Sequence, residues 1–124
     1  MEKRLVPRLI VRGNYLKISP QKMQPIVDLV RGKEIDNSLN TLRFLPQKGA
    51  KMLHKILQGA RKQVLHKEEN EKTKKNSFFY ISKIKIDRGS ISKKIFIRAK
   101  GSADTLRKVN CHLFLSLSKE EKEK

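Results

Sequence analysis

The sequence predicts an α+β fold, with helices through the first half of the chain and a long antiparallel β-hairpin in the second. Three observations carry this. Ala50, Leu53, Leu57, Ala60 and Val64 step by three and four, the spacing of one helical face. Val109, Cys111, Leu113, Leu115 and Leu117 alternate with Asn110, His112, Phe114, Ser116 and Ser118, the spacing of a strand with one buried side. Between them the polar run KEENEKTKKNS, Lys67 to Ser77, has no apolar period and reads as a solvated loop.

The elements follow in order. Residues 1–13 mix Leu5, Val6, Leu9, Ile10 and Val11 with Arg4, Arg8 and Arg12, and Pro7 interrupts either periodicity, so this stretch reads as a basic N-terminal arm. A short strand is expected around Asn14 to Ile18. Ser19-Pro20 is a helix-start pair: the hydroxyl can accept from a free N–H, and proline sits where no donor is needed. Met23, Ile26, Val27 and Val30 then recur at helical spacing until Gly32 ends the helix. Pro25 is expected to kink this helix or shift its start. Asp36 is a candidate cap for a short helix carrying Leu39, Leu42 and Phe44, closed by Pro46. The longest helix comes next; Met23 of the first helix and Met52 of this one are expected as core methionines.

After the polar loop, Phe78 to Ile86 is rich in aromatic and β-branched residues, and Asp87-Arg88-Gly89-Ser90 signals a bend or bulge. The stretch SISKKIFIRAKGSADTLRKV is strand-like yet too basic to be core. Its simplest geometry is the projecting part of a hairpin spanning about residues 78–117. Residues 14–118 thus read as a single domain and 119–124 as a frayed, disordered tail.

Charge narrows the function. The 124 residues hold 30 Lys and Arg against 12 Asp and Glu, a formal charge of +18. Such a field repels itself unless a polyanion lies nearby. No run of about 18 apolar residues reads as a transmembrane helix, and Met1 to Arg12 does not read as a secretory signal. A lone cysteine, Cys111, excludes an internal disulfide and a multi-cysteine zinc site, and it is most simply a small core residue.

Catalysis finds no support. His54, His66 and His112 lack partners at metal-ligand spacing, the six glycines form no phosphate-binding loop, and Asp28, Asp87 and Asp104 fall in different elements. Neither an enzyme nor a metal nor a cofactor is expected. The cations are more informative. Lys93, Lys94, Arg98, Lys100, Arg107 and Lys108 face Asp104 alone, with Ile91, Ile95, Phe96 and Ile97 interspersed. A ribbon of this kind can set cations along phosphates while apolar groups stack on bases. The bland alternative is a hairpin whose lysines only protect its edges. Arg12, Lys17, Lys22, Arg31 and Lys33 form a second candidate patch on the domain, although Arg31 and Lys33 could equally serve the negative end of the first helix. A DNA-binding ribbon and a peripheral membrane protein are the rival classes; the second lacks an aromatic anchor on its best helix.

Read together, these motifs resemble a known family. ISPQKMQPIVDLVRGK, Ile18 to Lys33, is similar to the first helix of the universal large-subunit ribosomal protein number twenty-two. FFYISKIKIDRGSISKKIFIRAKGSADTLRKVNCHLFLSL, Phe78 to Leu117, resembles that family's hairpin in its Asp87–Gly89 bend, the Lys93-Lys94 pair, the Arg98-Ala99-Lys100-Gly101 run and the closing Cys111-His112 strand. Pro25, Ile97 and Ser102 depart from the family pattern. The resemblance implies three helices packed on a small antiparallel sheet, with a long protruding β-hairpin. It also implies a structural constituent of the large ribosomal subunit that binds and braces large-subunit rRNA. The hairpin tip, roughly Gly89 to Gly101, would line the nascent-peptide exit tunnel through Ser90, Ile91, Ser92, Lys93, Lys94 and Ile95. The implied partners are large-subunit rRNA, neighbouring large-subunit ribosomal proteins and, transiently, the nascent chain, with no membrane and no homo-oligomer. The Cys111-His112 pair and the excess of Lys over Arg resemble the plastid branch, which implies a ribosome in the organelle stroma; the alternative is the bacterial cytoplasm.

Overall fold

The computed structural model describes residues 3–70 and 78–122, with side chains at 9–67 and 78–119. Strand β1 (Lys3–Leu16) leads to helices α1 (Pro20–Val30), α2 (Ile35–Arg43) and α3 (Lys48–Asn70), followed by strands β2 (Phe79–Ile97) and β3 (Ala103–Lys122). The three strands form one antiparallel sheet in the order β1-β3-β2. The expected α+β architecture, three helices with a sheet and a long hairpin, is present.

Each helix buries the face its sequence marks. Met23, Ile26, Val27 and Val30 of α1 are all buried, as are Ala50, Leu53, Leu57, Ala60 and Val64 of α3. They meet Cys111, Leu113, Leu115 and Leu117 of β3 and Ile81 and Ile84 of β2 in one core. Of the two expected core methionines, Met23 is fully buried and Met52 only partly so. Pro25 lies within α1 without breaking it. Its ring is exposed, and so near the helix start the missing N–H removes a bond only from the carbonyl of the first turn.

Several local expectations are corrected. The strand expected at Asn14 to Ile18 runs instead from Lys3 to Leu16, because β3 offers a full antiparallel partner from Lys3↔Lys122 to Leu16↔Cys111 and absorbs Pro7 at a register shift. By the same pairing β3 continues through Lys122, across most of the stretch expected as a disordered tail; residues 123–124 lie outside the described residues. Ser19 makes no side-chain cap: its carbonyl accepts from the N–H groups of Lys22 and Met23 instead. The residue at the N-terminal boundary of α2 is Glu34, not Asp36, and its side chain makes no capping hydrogen bond. Asp36 sits in its first turn, where a carboxylate favours the positive end, and pairs with Arg61 of α3 at 2.9 Å. Phe44 is not part of that helix's buried face; it ends α2 with 83% of its surface exposed. Helix α3 reaches Asn70, beyond the expected loop start at Lys67, and the rest of that loop, 71–77, lies outside the described residues.

The α1–α2 connection is tied to the sheet by its backbone. Gly32 donates its N–H to the Ile81 carbonyl and Ile81 donates to the Lys33 carbonyl, both at 3.0 Å. Gly32 has φ +76°, a value that glycine adopts without strain.

Cys111 is buried on the central strand, as expected, and burial pushes its thiol above the ordinary thiol pKa. Because the folded value is raised, the stability this neutral thiol contributes is complete below the ordinary thiol pKa and fades as pH rises through the folded value. Iodoacetamide at mildly alkaline pH is therefore expected to label Cys111 slowly in the native protein and rapidly in denaturant, read by intact-mass spectrometry. Equal rates in both conditions would contradict the buried assignment.

Candidate nucleic-acid interface

Beyond Cys111 the hairpin leaves the core. Arg88 pairs with Cys111 and Ile91 with Val109, so β2 carries an extra residue there, a bulge at Gly89 and Ser90. A Cβ on Gly89 would stand 2.9 Å from the Asn110 carbonyl oxygen, so this bulge depends on close backbone approach. From Ile91 onward β2 is exposed throughout, and β3 is exposed back to Lys108. Ile91–Ile97 alone spans roughly 20 Å of two-stranded ribbon.

The chain reverses at Ala99–Gly101, the far end of the expected tip. Lys100 and Gly101 both hold left-handed backbone, at φ +61° and +72°, and the Arg98 N–H closes the turn onto the Ser102 carbonyl at 2.8 Å. Ser102 Oγ donates to the Ala99 carbonyl. Within that tip, Ser90, Ile91, Ser92, Lys93, Lys94 and Ile95 lie along the outgoing strand, and the end of the ribbon is Arg98 to Ser102. The Asp87–Ser90 stretch supplies the bulge rather than the turn, since it lacks paired left-handed residues.

Register then assigns the cations to faces. Lys93 stands directly opposite Arg107, while Ser92 faces Lys108 and Lys94 faces Leu106. Alternation puts Lys93 and Arg107 on the side of the sheet that carries the helices, and Lys94 and Lys108 on the other. Like charges directly across a strand pair repel, and Asp104 is engaged elsewhere. Its carboxylate pairs with Arg98, whose guanidinium also lies 5.8 Å from the Phe96 ring centroid. The ribbon thus presents Lys93, Lys94, Arg107 and Lys108 without acidic partners among the described ion pairs, with Lys100 exposed at the turn.

The second patch is not one surface. Arg12 lies on the helix-free face of the sheet, opposite Phe114. Lys22 is in the first turns of α1, and Arg31 caps its far end, where it reaches Asp28 at 3.6 Å and the Ile84 carbonyl at 3.4 Å. Lys17 and Lys33 are exposed in the connections on either side of α1. Charge alone relates these five side chains: Arg12 lies on the helix-free face of the sheet, and the other four lie along and at the two ends of α1.

The structure also brings forward Lys83 and Lys85, which lie in neither candidate patch, and sets Asp87 in line with them. Lys83, Lys85 and Asp87 of β2 face Ser116, Phe114 and His112 of β3 on the same helix-free side. The signal for them was the period-two spacing of Lys83, Lys85 and Asp87, hidden by a further bulge between Ile81 and Lys83.

Among the described residues no three or more His, Cys, Asp or Glu are grouped to hold a metal ion, and no helix is long and apolar enough to cross a membrane. A basic α+β domain bearing a cationic ribbon defines a binding protein suited to a polyanion rather than a catalyst. Comparison with known proteins places it more closely. The family model for Ribosomal protein L22p/L17e matches residues 11–118. The chain is 41% identical to the large ribosomal subunit protein uL22 of Pelobacter propionicus over 83% of its own length and 89% of the relative's. It is 33% identical to the uL22 protein of Borreliella afzelii, with 92% of each chain covered, and 32% identical to that of Thermoanaerobacter pseudethanolicus, over 98% and 100%. The chain belongs to the L22p/L17e family, a family of ribosomal proteins and not of enzymes.

Proposed function

We propose that this protein binds and braces large-subunit rRNA, with its ribbon inserted between RNA segments and the ribbon's end lining the nascent-peptide exit tunnel. The observation that carries this reading is the Lys93–Arg107 pair. Two cations directly opposed on an exposed two-stranded ribbon repel each other, and a phosphate between them turns that repulsion into attraction. Lys94, Lys108, Lys100 and Arg98 extend the same contact along and around the ribbon. Arg12, Lys17, Lys22, Arg31 and Lys33 meet RNA from separate sides, as befits a domain embedded among several RNA segments. Ser90 to Ile95 line the tunnel from the ribbon's flank and Arg98 to Ser102 from its end. Neighbouring large-subunit proteins and, transiently, the nascent chain complete the partners of a monomer. The relatives named above come from bacteria and favour a bacterial ribosome; Cys111-His112 and the lysine excess are what speak for a plastid one.

The test is sedimentation with large subunits through a high-salt wash, followed by crosslinking from Lys93 or Lys94. Crosslinks to large-subunit rRNA or to a stalled nascent chain are expected. Retention on duplex DNA instead of subunits would defeat the reading.

A two-stranded ribbon with no layer behind it is marginally stable in water. In the free protein the amides of Ile91–Ile97 and Ala103–Val109 are therefore expected to exchange with deuterium far faster than those of Cys111–Leu117, and to become protected on binding rRNA. Equal protection of the two segments in the free protein would show that the ribbon needs no RNA to hold it.

A further inference from the structure

The helix-free face of the sheet carries a second arrangement. Phe114 of β3 has Arg12 of β1 and Lys85 of β2 as its two cross-strand neighbours, so one row across the sheet reads cation, aromatic, cation. The Arg12 guanidinium lies 5.8 Å from the Phe114 ring centroid. One row further on, His112 faces Asp87, and its ring meets Tyr15 edge-on at 4.9 Å. The Tyr15 N–H donates to His112 Nδ1 at 3.1 Å, which fixes that ring's orientation. Arg12, Asn14, Lys85, Asp87, His112 and Phe114 line an open cleft. In the opposite direction the next row places Lys83 and Ile10 on either side of Ser116.

The opposite side of the sheet is the core, so these side chains are not needed for it. Lys83 and Lys85 outnumber Asp87 on β2, and Arg12 adds a third cation, which favours an anionic occupant. A half-buried ring held by its neighbours loses little freedom when a flat group lies on it, and flanking cations can take the charge on either side of that group. A duplex keeps its base faces covered, whereas an unpaired nucleotide offers both a base face and phosphates.

We propose that this face is a second RNA site, a platform on which an unpaired base stacks on Phe114 while Arg12 and Lys85 hold the adjoining phosphates. The proposal rests on the rRNA-binding reading above and deepens it, since it places a single-stranded nucleotide on the domain away from the ribbon.

The full-length protein would be titrated with four probes: a labelled oligoadenylate, a labelled RNA stem of similar length, large-subunit rRNA and a labelled glutamate-rich peptide. Phe114→Leu is expected to weaken oligoadenylate binding by roughly 5- to 150-fold, the loss of one base–aromatic stack, with its salt slope unchanged. Replacing Arg12 and Lys85 together with Gln should lower the salt slope for oligoadenylate by about 1.4. Phe114→Tyr keeps the ring and should bind like wild type. Photocrosslinking of wild-type protein to thiouridine-bearing rRNA needs no variant to fold, and should label the peptide that contains Phe114. Wild-type affinity in Phe114→Leu, labelling that spares this peptide, or tighter Phe114-dependent binding of a glutamate-rich peptide than of oligoadenylate would each overturn the platform. If Phe114→Leu behaves as wild type while Lys93→Gln/Lys94→Gln loses rRNA, the platform fails and the wider reading stands; if wild-type protein binds no rRNA, the wider reading fails first.

Discussion

Replacing Lys93, Lys94, Arg107 and Lys108 together with glutamine is expected to lower the salt slope of rRNA binding by about 3, the share of four phosphate contacts. Between about 50 and 200 mM salt the wild type should consequently lose roughly 60-fold more affinity than the variant. These four residues are chosen because the register groups them two to a face at the middle of the ribbon. Arg98 is left in place because Asp104 and Phe96 already hold it. Glutamine is one or two atoms shorter but stays polar and hydrogen-bonding, so what is chiefly removed is charge. It also relieves the Lys93–Arg107 repulsion, and the free variant should be no less stable than wild type in a thermal melt. A salt slope equal to that of wild type would show that phosphates do not meet this part of the ribbon.

The second large effect lies in the domain. Leu115 is fully buried on the central strand, between Val11 of β1 and Ile84 of β2. Leu115→Ala is expected to destabilise the fold by about 2–5 kcal/mol, through lost apolar burial and the cavity left behind. A domain of this size is stable by only about 5–15 kcal/mol in total. The midpoint of thermal unfolding should fall by roughly 10 °C or more. Ile95→Ala provides the contrast. Ile95 is also an aliphatic strand residue, but it is 77% exposed on the ribbon, and its truncation should change stability by less than about 0.5 kcal/mol. The same pair separates two kinds of defect in ribosome incorporation. Leu115→Ala should lower the amount of folded protein, and Ile95→Ala should leave it unchanged. Comparable losses of stability in the two variants would mean that the ribbon packs on the domain.

The helices were the most legible part of the fold. The apolar faces of α1 and α3 were read residue by residue, because a helix that buries one face must repeat its apolar residues near every three or four positions. The buried side of β3, from Cys111 to Leu117, was equally open to reading, for the analogous reason at period two. Phe44 was misplaced because hydrophobicity says where a side chain prefers to be, whereas the chain's exit from α2 decides where it goes. The N-terminal strand begins well before the expected Asn14 because Pro7 and three arginines obscure any period ahead of it, and only pairing with β3 supplies the hydrogen bonds that make those residues a strand.

The candidate site divides in the same way. Charge density along Lys93 to Lys108 marked the ribbon, and no fold was needed to see it. The expected tip, roughly Gly89 to Gly101, contains the reversal without locating it, since Asp87-Arg88-Gly89-Ser90 and Ala99-Lys100-Gly101 are both plausible bends in one dimension. Cross-strand register settles the matter, because a bulge keeps the strands paired on both sides and a turn does not. The row of Arg12, Phe114 and Lys85 could not be read in advance at all. Those residues come from three separate strands, and nothing local relates position 12 to 85 or 114.

The sequence by itself determined the class of this protein: the excess of cations, the absence of catalytic spacing, and the amphipathic periods that commit each segment to helix or strand. These are properties of composition and of neighbours within a turn or two, and local sterics and hydrophobicity suffice to express them. Tertiary structure alone decided which cations stand together, where the ribbon ends and which aromatic lies between two charges. Those are distances between residues far apart in the chain, and they exist only once the hydrogen-bonded register of β1, β3 and β2 has been made.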